Sequence, residues 1–331
     1  MPSMLTHYLC GKKINTILSQ NLKYLLLNKY EKVYNLGTLG PDILFFHNQW
    51  PWKKDTSLSK VADIIHSEKV NLFFKNMLTL IMDSKEKNLL LAYFMGFCSH
   101  YVLDCTTHPY IFYFSGFNED GVLDAHYTNL HREFETNIDF CISKEIENKT
   151  PYDLNSTEIF DILLLEQKLI SELLAEAINK TYKKSLNADI IFAAIDDFKK
   201  ITDYLRDKNG FKHKFLIFTE NILKIKSKPS SIIYPLELDN NNDYLNISKN
   251  TWYMPWDNST PHNESFIDIF EESVEKSIDY LKSIMEFNSK IISLENLLKK
   301  LGNLSYSTGI DCDKNIIFKY KHEKHLKKPK K

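Results

Sequence analysis

Hydrophobic residues recur at steps of three and four along most of the chain and divide it into a series of predicted helices. Residues at these steps share one face of a helix, so an apolar residue at each step forms a stripe that can be buried. The helices predicted from this spacing cover 12–32, 57–82, 85–108, 125–147, Ser156 or Thr157 to 184, 187–226 as one or two helices, and 264–301.

Glycine, proline and polar clusters mark the boundaries between these helices. Residues 35–41 and 110–124 contain glycine turn signals and are predicted loops. Ser84 is placed to cap the helix that starts near residue 85, and this helix is expected to end before Pro109, because proline disfavours helical backbone in the residue before it. Residues 228–263 are rich in Asn, Asp, Ser and Pro, which indicates a long irregular connector with room for short strands.

The predicted fold class is all-α. Residues 1–318 are expected to form a single mostly helical domain, whose metal-site core lies in 1–147, and the basic segment 319–331 is expected to be a disordered tail. An apolar content of 43% is sufficient for a substantial core. Only nine glycines in 331 residues argue against a β-sandwich and against glycine-rich nucleotide loops.

Charge and cysteine content narrow the functional classes. The formal net charge is −1, so no stable complex with nucleic acid is expected. Five cysteines without a CxxC motif, and a start that does not resemble a signal peptide, indicate a cytoplasmic protein with reduced thiols. The longest apolar run, 89–98, is too short to span a bilayer, so no transmembrane segment is predicted, and membrane contact is limited to weak surface binding.

Two sequence blocks carry metal-capable side chains at steps of four. The first, 94–110, contains His100, Asp104 and His108. The second, 131–139, contains His131, Glu135 and Asp139. Residues four apart lie one turn above another on a helix, so each block points its side chains the same way. Upstream, the further candidates are His7, Asp42 and His66.

These residue types fit a zinc site better than unrelated core positions. Zinc binds imidazole nitrogen and carboxylate oxygen. Asp104 follows Tyr101, Val102 and Leu103 in an apolar helix, where a carboxylate is costly unless it is paired or bound to a metal. A structural ion pair is the main alternative.

Several motifs resemble the zinc-dependent phospholipase C family, in particular its clostridial cytosolic-type branch, and more distantly the single-strand-specific zinc nucleases that share its fold. The motifs are THYLCG (6–11), GPDILFF (40–46), GFCSHYVLDCTTHPY (96–110), HREFETNID (131–139) and NTWYMPWDNSTPHNESFIDIF (250–270).

The resemblance implies a helical domain with two or three zinc ions. One zinc would be held by Asp42, His66, His100 and Asp104. A second would be held by His108, His131 and Glu135. A third would be held by His7, Asp104 as a bridge and the chain's N-terminal amine. Asp42 is also the implied general base, and His47 is an alternative to His66.

Some positions depart from the family or have no assigned role. The chain starts with Met-Pro, where secreted members present a tryptophan amine, so the third zinc is left open. No lipid-binding β-domain is predicted after the helices. Asp139 either orients a ligand or lies on a solvated helix face, and His126 is unassigned. Surface positions are expected for His213, His262, His322 and His325.

The function implied by the resemblance is that of a zinc-dependent phosphodiester hydrolase of the phospholipase C type, with zinc-bound hydroxide as nucleophile and a phospholipid or other phosphodiester as substrate. One alternative is a zinc nuclease or nucleotidase, which an exposed aromatic pair beside the site would favour. The candidates for such a pair are Tyr110, Tyr113, Phe114, Trp50 and Trp52. A non-catalytic helical metal-binding or scaffold protein is the other alternative.

Overall fold

The computed structural model describes residues 4–21, 24–49, 57–226, 228–239 and 242–325, and most of this part of the chain is helical. The α-helices, in chain order, are α1 Met4–Leu18, α2 Leu25–Lys29, α3 Glu31–Gly37, α4 Ser57–Ser67, α5 Val70–Asp83, α6 Lys87–Ser115, α7 Ala125–Glu147, α8 Ser156–Ile159, α9 Leu164–Tyr182, α10 Ala188–Leu205, α11 Phe211–Leu223, α12 Phe266–Asn288 and α13 Leu294–Leu301. The two strands named in these residues, β1 Trp252–Met254 and β2 Asp257–His262, form one antiparallel hairpin. The predicted all-α fold class is confirmed.

Helix α6 is the central element of the core. It is 29 residues long, and its side chains are buried around its whole circumference by helices α1, α3, α5, α7, α9 and α12. Within the described residues it is the one helix long and apolar enough to cross a membrane, but 94% of its apolar window is buried inside the protein. Burial on this scale is typical of a core helix.

A pair of glycines lets α3 and α6 pack with their backbones in contact. A Cβ atom on Gly37 would lie 2.2 Å from the carbonyl oxygen of Tyr93, and one on Gly96 would lie 2.1 Å from that of Tyr34. Any larger residue at either position would force the two helices apart. This close crossing brings the segment after α3 against the middle of α6.

The prediction that the central helix ends before Pro109 is wrong, because α6 continues to Ser115. Proline removes the hydrogen bond to the Cys105 carbonyl four residues earlier, which usually breaks a helix. Here residues 110–115 are buried, so tertiary packing holds the helical path beyond the proline. The predicted loop 110–124 accordingly begins only after Ser115.

Other predicted helices are divided where the chain makes long-range contacts. The helix predicted over 57–82 is divided into α4 and α5. Near the end of α4, the backbone NH of Tyr306 donates a hydrogen bond to the carbonyl of His66, and the hydroxyl of Tyr182 donates one to the carbonyl of Glu68. These carbonyls therefore bond to distant residues where a continuous helix would use them itself. The helix predicted over 12–32 is also wrong: α1 begins at Met4 and ends at Leu18, and two short helices follow.

The end of the chain also differs from the prediction. The single helix expected over 264–301 is α12 and α13, with Ser293 capping the second. The predicted helix after Ser156 is likewise two helices, α8 and α9. The helix predicted over 125–147 is confirmed as α7, and the predicted break near Gly210 separates α10 from α11.

The basic tail is ordered in the part that the structure describes. Lys321 is buried, and its Nζ donates a hydrogen bond to the carbonyl oxygen of Phe117 at 2.6 Å. The NH of His322 donates to the carbonyl of Tyr113. The prediction of a disordered tail is therefore wrong for residues 319–325, and residues 326–331 lie outside the described residues.

Candidate metal centre

All eight predicted ligand positions meet at one place beside the middle of α6. Each is buried except His66, whose side chain is 15% exposed. They come from α1 (His7), the 3-10 helix Gly40–Phe46 (Asp42), α4 (His66), α6 (His100, Asp104, His108) and α7 (His131, Glu135).

Asp104 lies at the centre of this group and faces both sides of it. Its Oδ1 lies 3.1 Å from His7 Nε2 and 3.6 Å from His108 Nδ1. Its Oδ2 lies 3.0 Å from His100 Nε2 and 3.8 Å from His66 Nε2. The two oxygens of this carboxylate therefore face different pairs of imidazoles.

Asp42 adds a second carboxylate to the first side of the centre, beside His66 and His100. Its Oδ1 lies 3.0 Å from His66 Nε2, and its Oδ2 lies 3.7 Å from His100 Nε2. The ligand atoms of His66, His100 and Asp104 lie within 4.8 Å of one another, and so do those of His7, Asp42 and His100. The structure thus places His7 beside His100, with the two rings stacked at 4.0 Å, as well as beside Asp104.

The alternative ligand His47 lies outside this group. Its Nδ1 is 3.7 Å from Asp197, and its Nε2 is 3.0 Å from the side-chain amide of Asn48.

Gly40 has a positive φ of 53°, and a Cβ atom there would lie 2.3 Å from the ring of His100. The turn that carries Asp42 therefore fits against His100 only with glycine at this position.

The second side of the centre lies between α6 and α7. His131 Nε2 and His108 Nε2 lie 3.2 Å and 3.5 Å from the same oxygen, Glu135 Oε1. The two imidazole rings are stacked with their centroids 5.7 Å apart. These three residues form a separate group whose ligand atoms lie within 4.8 Å of one another.

Backbone carbonyls orient three of the imidazoles. Because a carbonyl oxygen only accepts hydrogen bonds, the ring nitrogen facing it carries the proton, and Nε2 keeps a lone pair for a metal. The bonds from Nδ1 are those of His66 to Ala62 (2.7 Å), His100 to Thr38 (3.0 Å) and His108 to Tyr306 (3.0 Å).

Several buried polar atoms of the centre have no hydrogen-bond partner among the described residues, and this pattern fits a metal-binding site. Among the described residues, Oδ2 of Asp42 and Asp104, Oε2 of Glu135 and Nε2 of His100 have no hydrogen-bond partner. A buried carboxylate oxygen without a partner is costly, whereas a cation would satisfy it. Imidazole nitrogen and carboxylate oxygen are zinc ligands, so the residues present fit zinc.

The pKa values of these groups reflect the same crowding of charge. Burial raises the pKa of Asp104, but the imidazoles of His100, His108 and His7 lower it more, so it lies well below its ordinary value. Burial lowers the pKa of His108, but Asp104 and Glu135 raise it more, to about 9. In the metal-free protein a proton on His108 supplies positive charge, so zinc and protons compete for this centre.

Tyr306 is a supporting residue that the sequence patterns did not indicate. Its backbone NH donates to the carbonyl of His66 at 2.9 Å, and its carbonyl accepts from His108 Nδ1 at 3.0 Å. Its ring is fully buried, with the centroid 4.8 Å from that of His66. Tyr306 therefore connects the two sides of the centre, although it lies about 200 residues later in the sequence than His108.

Asp139 has a structural role that the sequence left open. It accepts hydrogen bonds from the backbone NH of Leu5 (3.0 Å), from the NH and hydroxyl of Thr6 (both 2.7 Å) and from the hydroxyl of Tyr234 (2.8 Å). It is 1% exposed, so the alternative of a solvated helix face is wrong. Asp139 anchors the first turn of α1, which carries His7.

The other predicted positions lie away from the centre or outside the described residues. His126 is exposed, His213 is partly buried, His262 stacks on Trp252 and His322 packs against Phe114. Tyr110, Tyr113 and Phe114 are buried, so they do not form the exposed aromatic pair that would favour a nuclease. The remaining candidates lie outside the described residues: Trp50, Trp52, the N-terminal amine and the side chain of His325.

The chain matches a known protein family. The sequence model of the family described as zinc dependent phospholipase C matches residues 6–199, which is more than half of the chain and includes all eight residues of the centre. The match ends within α10, before α11 and the loop that carries Tyr306. No curated protein and no solved structure matches the chain.

We expect His100→Ala and His131→Ala each to reduce the zinc content of the purified protein and to lower its melting temperature in the presence of zinc. Zinc that binds only the folded state stabilises it by mass action. Elemental analysis and thermal unfolding would measure both effects, with His126→Ala, an exposed position, as the control. Wild-type metal content in both variants would show that the ligand assignment is wrong.

We expect Tyr306→Phe to stabilise the metal-free protein by about 1 kcal/mol, because it removes a buried hydroxyl that has no hydrogen-bond partner among the described residues. The control is Tyr101→Phe. Its hydroxyl donates to the carbonyl of Leu301 at 2.8 Å and accepts from the NH of Leu304 at 3.2 Å, so this variant should lose about 1 kcal/mol. Equal losses in urea unfolding would mean that the Tyr306 hydroxyl has a partner.

The raised pKa of Asp139 predicts that the free energy of unfolding depends on pH. Burial raises its pKa from the ordinary value to about 6, and its hydrogen bonds offset only part of this effect. Between about pH 4 and pH 6 the folded protein therefore holds a proton that the unfolded chain has released. The contribution of Asp139 to the free energy of unfolding falls as pH rises through this window, by roughly 3 kcal/mol in total.

The measurement is urea unfolding of metal-free wild type and Asp139→Asn from pH 4 to pH 7. The stability of the wild type relative to the variant should decrease as pH rises to about 6 and then stay constant. Asp120→Asn, which changes an exposed carboxylate, is the control. Parallel pH profiles for wild type and Asp139→Asn would contradict this prediction.

Proposed function

Because the chain belongs to the zinc-dependent phospholipase C family, we propose that it hydrolyses the phosphodiester bond of phospholipids at a zinc centre formed by the eight residues described above. The observation that most supports this proposal is the position of Asp104 inside a buried histidine cluster, where its Oδ1 faces His7 and its Oδ2 faces His100. Each of these oxygens would be available to a cation held by the imidazole that it faces.

Two groups of ligands are proposed, and a third is open. The first is Asp42, His66, His100 and Asp104, and the second is His108, His131 and Glu135. His7, with Asp104, would contribute to a third ion. Zinc, when bound, lowers the pKa of coordinated water and polarises the phosphoryl oxygens of the substrate.

Asp42 is the proposed general base or water-orienting residue. Its Oδ1 lies 3.0 Å from His66, whereas its Oδ2 is buried and has no hydrogen-bond partner among the described residues. That oxygen is free to accept a proton from water beside the reacting phosphorus. The carbonyls that accept from Nδ1 of His66 and His100 leave Nε2 as the nitrogen that would bind zinc, and an imidazole bound to zinc would not compete for the proton.

The proposal is tested by assaying zinc-loaded protein on phosphatidylcholine, on an aryl phosphodiester and on single-stranded DNA. We expect hydrolysis of the lipid and of the aryl ester. Asp42→Asn should keep most of its zinc, yet lose about 10²- to 10⁴-fold in rate, as is usual when a general base is removed. Asp197→Asn, at a carboxylate beside His47 and outside the centre, is the control and should retain wild-type activity.

Each other outcome identifies a different function. Cleavage of DNA without cleavage of lipid would support a zinc nuclease on the same fold. Bound zinc without turnover on any substrate would support a non-catalytic metal-binding protein. Wild-type rates for Asp42→Asn would remove Asp42 from the mechanism and leave it as a ligand.

A further inference from the structure

Helix α11 exposes the residues that a helix in a soluble protein normally buries. Phe211, Phe215, Phe218 and Ile222 are 73%, 56%, 63% and 61% exposed, respectively. The buried residue of this helix is a glutamate, Glu220. The usual arrangement of an amphipathic helix, with its apolar face inward, is reversed here.

The four exposed residues form a single stripe. They are separated by steps of four, three and four, so they lie on one face of the helix. The rings of Phe211 and Phe215 are nearly parallel, with centroids 6.4 Å apart. Contiguous exposed apolar patches of this kind usually mark an interaction surface, whereas single exposed apolar residues are ordinary.

Specific polar contacts hold α11 in this orientation. The carboxylate of Glu220 accepts from the backbone NH of Ser230 at 2.7 Å and from its hydroxyl at 2.6 Å. After the helix, the side-chain amide of Asn129 donates to the carbonyl of Lys226 at 2.7 Å, and its oxygen accepts from the NH of Lys228 at 2.9 Å. Asn129 lies in α7, two residues before His131, so the exposed stripe is tied to a helix of the metal centre.

The charge around the stripe identifies the chemistry of its partner. Between residues 208 and 228 there is one acidic residue, Glu220, which is buried. The same segment contains six lysines, although the whole chain has a net charge of −1. They are Lys208, Lys212, Lys214, Lys224, Lys226 and Lys228, and all except Lys212 are exposed. An aromatic stripe flanked by lysines is complementary to an anionic lipid surface, which accepts apolar side chains and attracts positive charge.

We propose that α11 binds the surface of an anionic phospholipid membrane, with its aromatic stripe in the lipid interface and its lysines at the headgroups. The choice of a lipid surface over a protein partner rests on the proposed phospholipid substrate. The binding itself does not require catalysis. This surface lies outside the part of the chain that matches the family.

The test is sedimentation of the zinc-loaded protein with vesicles of phosphatidylcholine alone and of phosphatidylcholine with phosphatidylserine, at low and high salt. We expect stronger binding to the anionic vesicles and weaker binding at high salt. The double variant Phe215→Ser/Phe218→Ser should bind at least tenfold more weakly to both, because it removes the inserted rings. The triple variant Lys224→Gln/Lys226→Gln/Lys228→Gln should lose about tenfold or more on anionic vesicles only.

Matched controls are available elsewhere on the surface. Leu163→Ser/Leu164→Ser removes two apolar side chains that are 71% and 73% exposed, and Lys60→Gln/Lys75→Gln/Lys85→Gln removes three exposed lysines. Both should bind vesicles as the wild type does. All variants should give the wild-type circular dichroism spectrum and a cooperative thermal transition, which tests folding without relying on hydrolytic activity.

The outcomes separate this inference from the proposed function. Vesicle binding that depends on Phe215 and Phe218, in a protein without hydrolytic activity, would support the surface and contradict the proposed function. Equal binding of wild type and Phe215→Ser/Phe218→Ser, or no binding to anionic vesicles, would overturn the inference. Light scattering that shows a wild-type dimer and a monomeric Phe215→Ser/Phe218→Ser variant would assign the stripe to a second copy of the chain instead.

Discussion

The need to neutralise Asp104 explains much of the architecture around it. Asp104 lies in the middle of α6, a helix buried on every side, and is only 2% exposed. An isolated charge at such a position would be strongly destabilising. Four imidazoles from α1, α4 and α6 surround its two oxygens, and Asp42 approaches from the 3-10 helix. These elements converge on a buried carboxylate whose charge the imidazoles, or a bound cation, would offset.

Residues that are not ligands maintain this convergence. Asp139 binds the first turn of α1, and the backbone of Tyr306 connects the last turn of α4 with the ring of His108 in α6. Asp139 contacts the residues just before His7, and Tyr306 contacts the carbonyl of His66 and the ring of His108, so the two help to set the positions of these three histidines. Preorganisation of this kind matters because zinc affinity depends on the orientation of each imidazole.

Helix α7 connects the proposed chemistry with the proposed membrane surface. One face carries His131 and Glu135 into the metal centre. Asn129 and Thr136, on the same helix, hold the segment that follows α11. A phospholipase must bring a site of buried charge close to a lipid interface, and a single rigid helix keeps the two at a constant separation. The exposed aromatic stripe, which is unfavourable in water, is favourable at that interface.

The sequence by itself determined the helical class and the local geometry of the centre. The spacing of four between His100, Asp104 and His108, and between His131 and Glu135, places these side chains on common faces, because helix periodicity is a local property. Which faces meet was decided by tertiary structure. The continuation of α6 past Pro109, the choice of His66 over His47 as the neighbour of Asp42, and the role of Tyr306 all depend on contacts between residues distant in the chain. The spacing of residues within one segment does not specify which distant segment packs against it, so the sequence pattern did not predict these contacts.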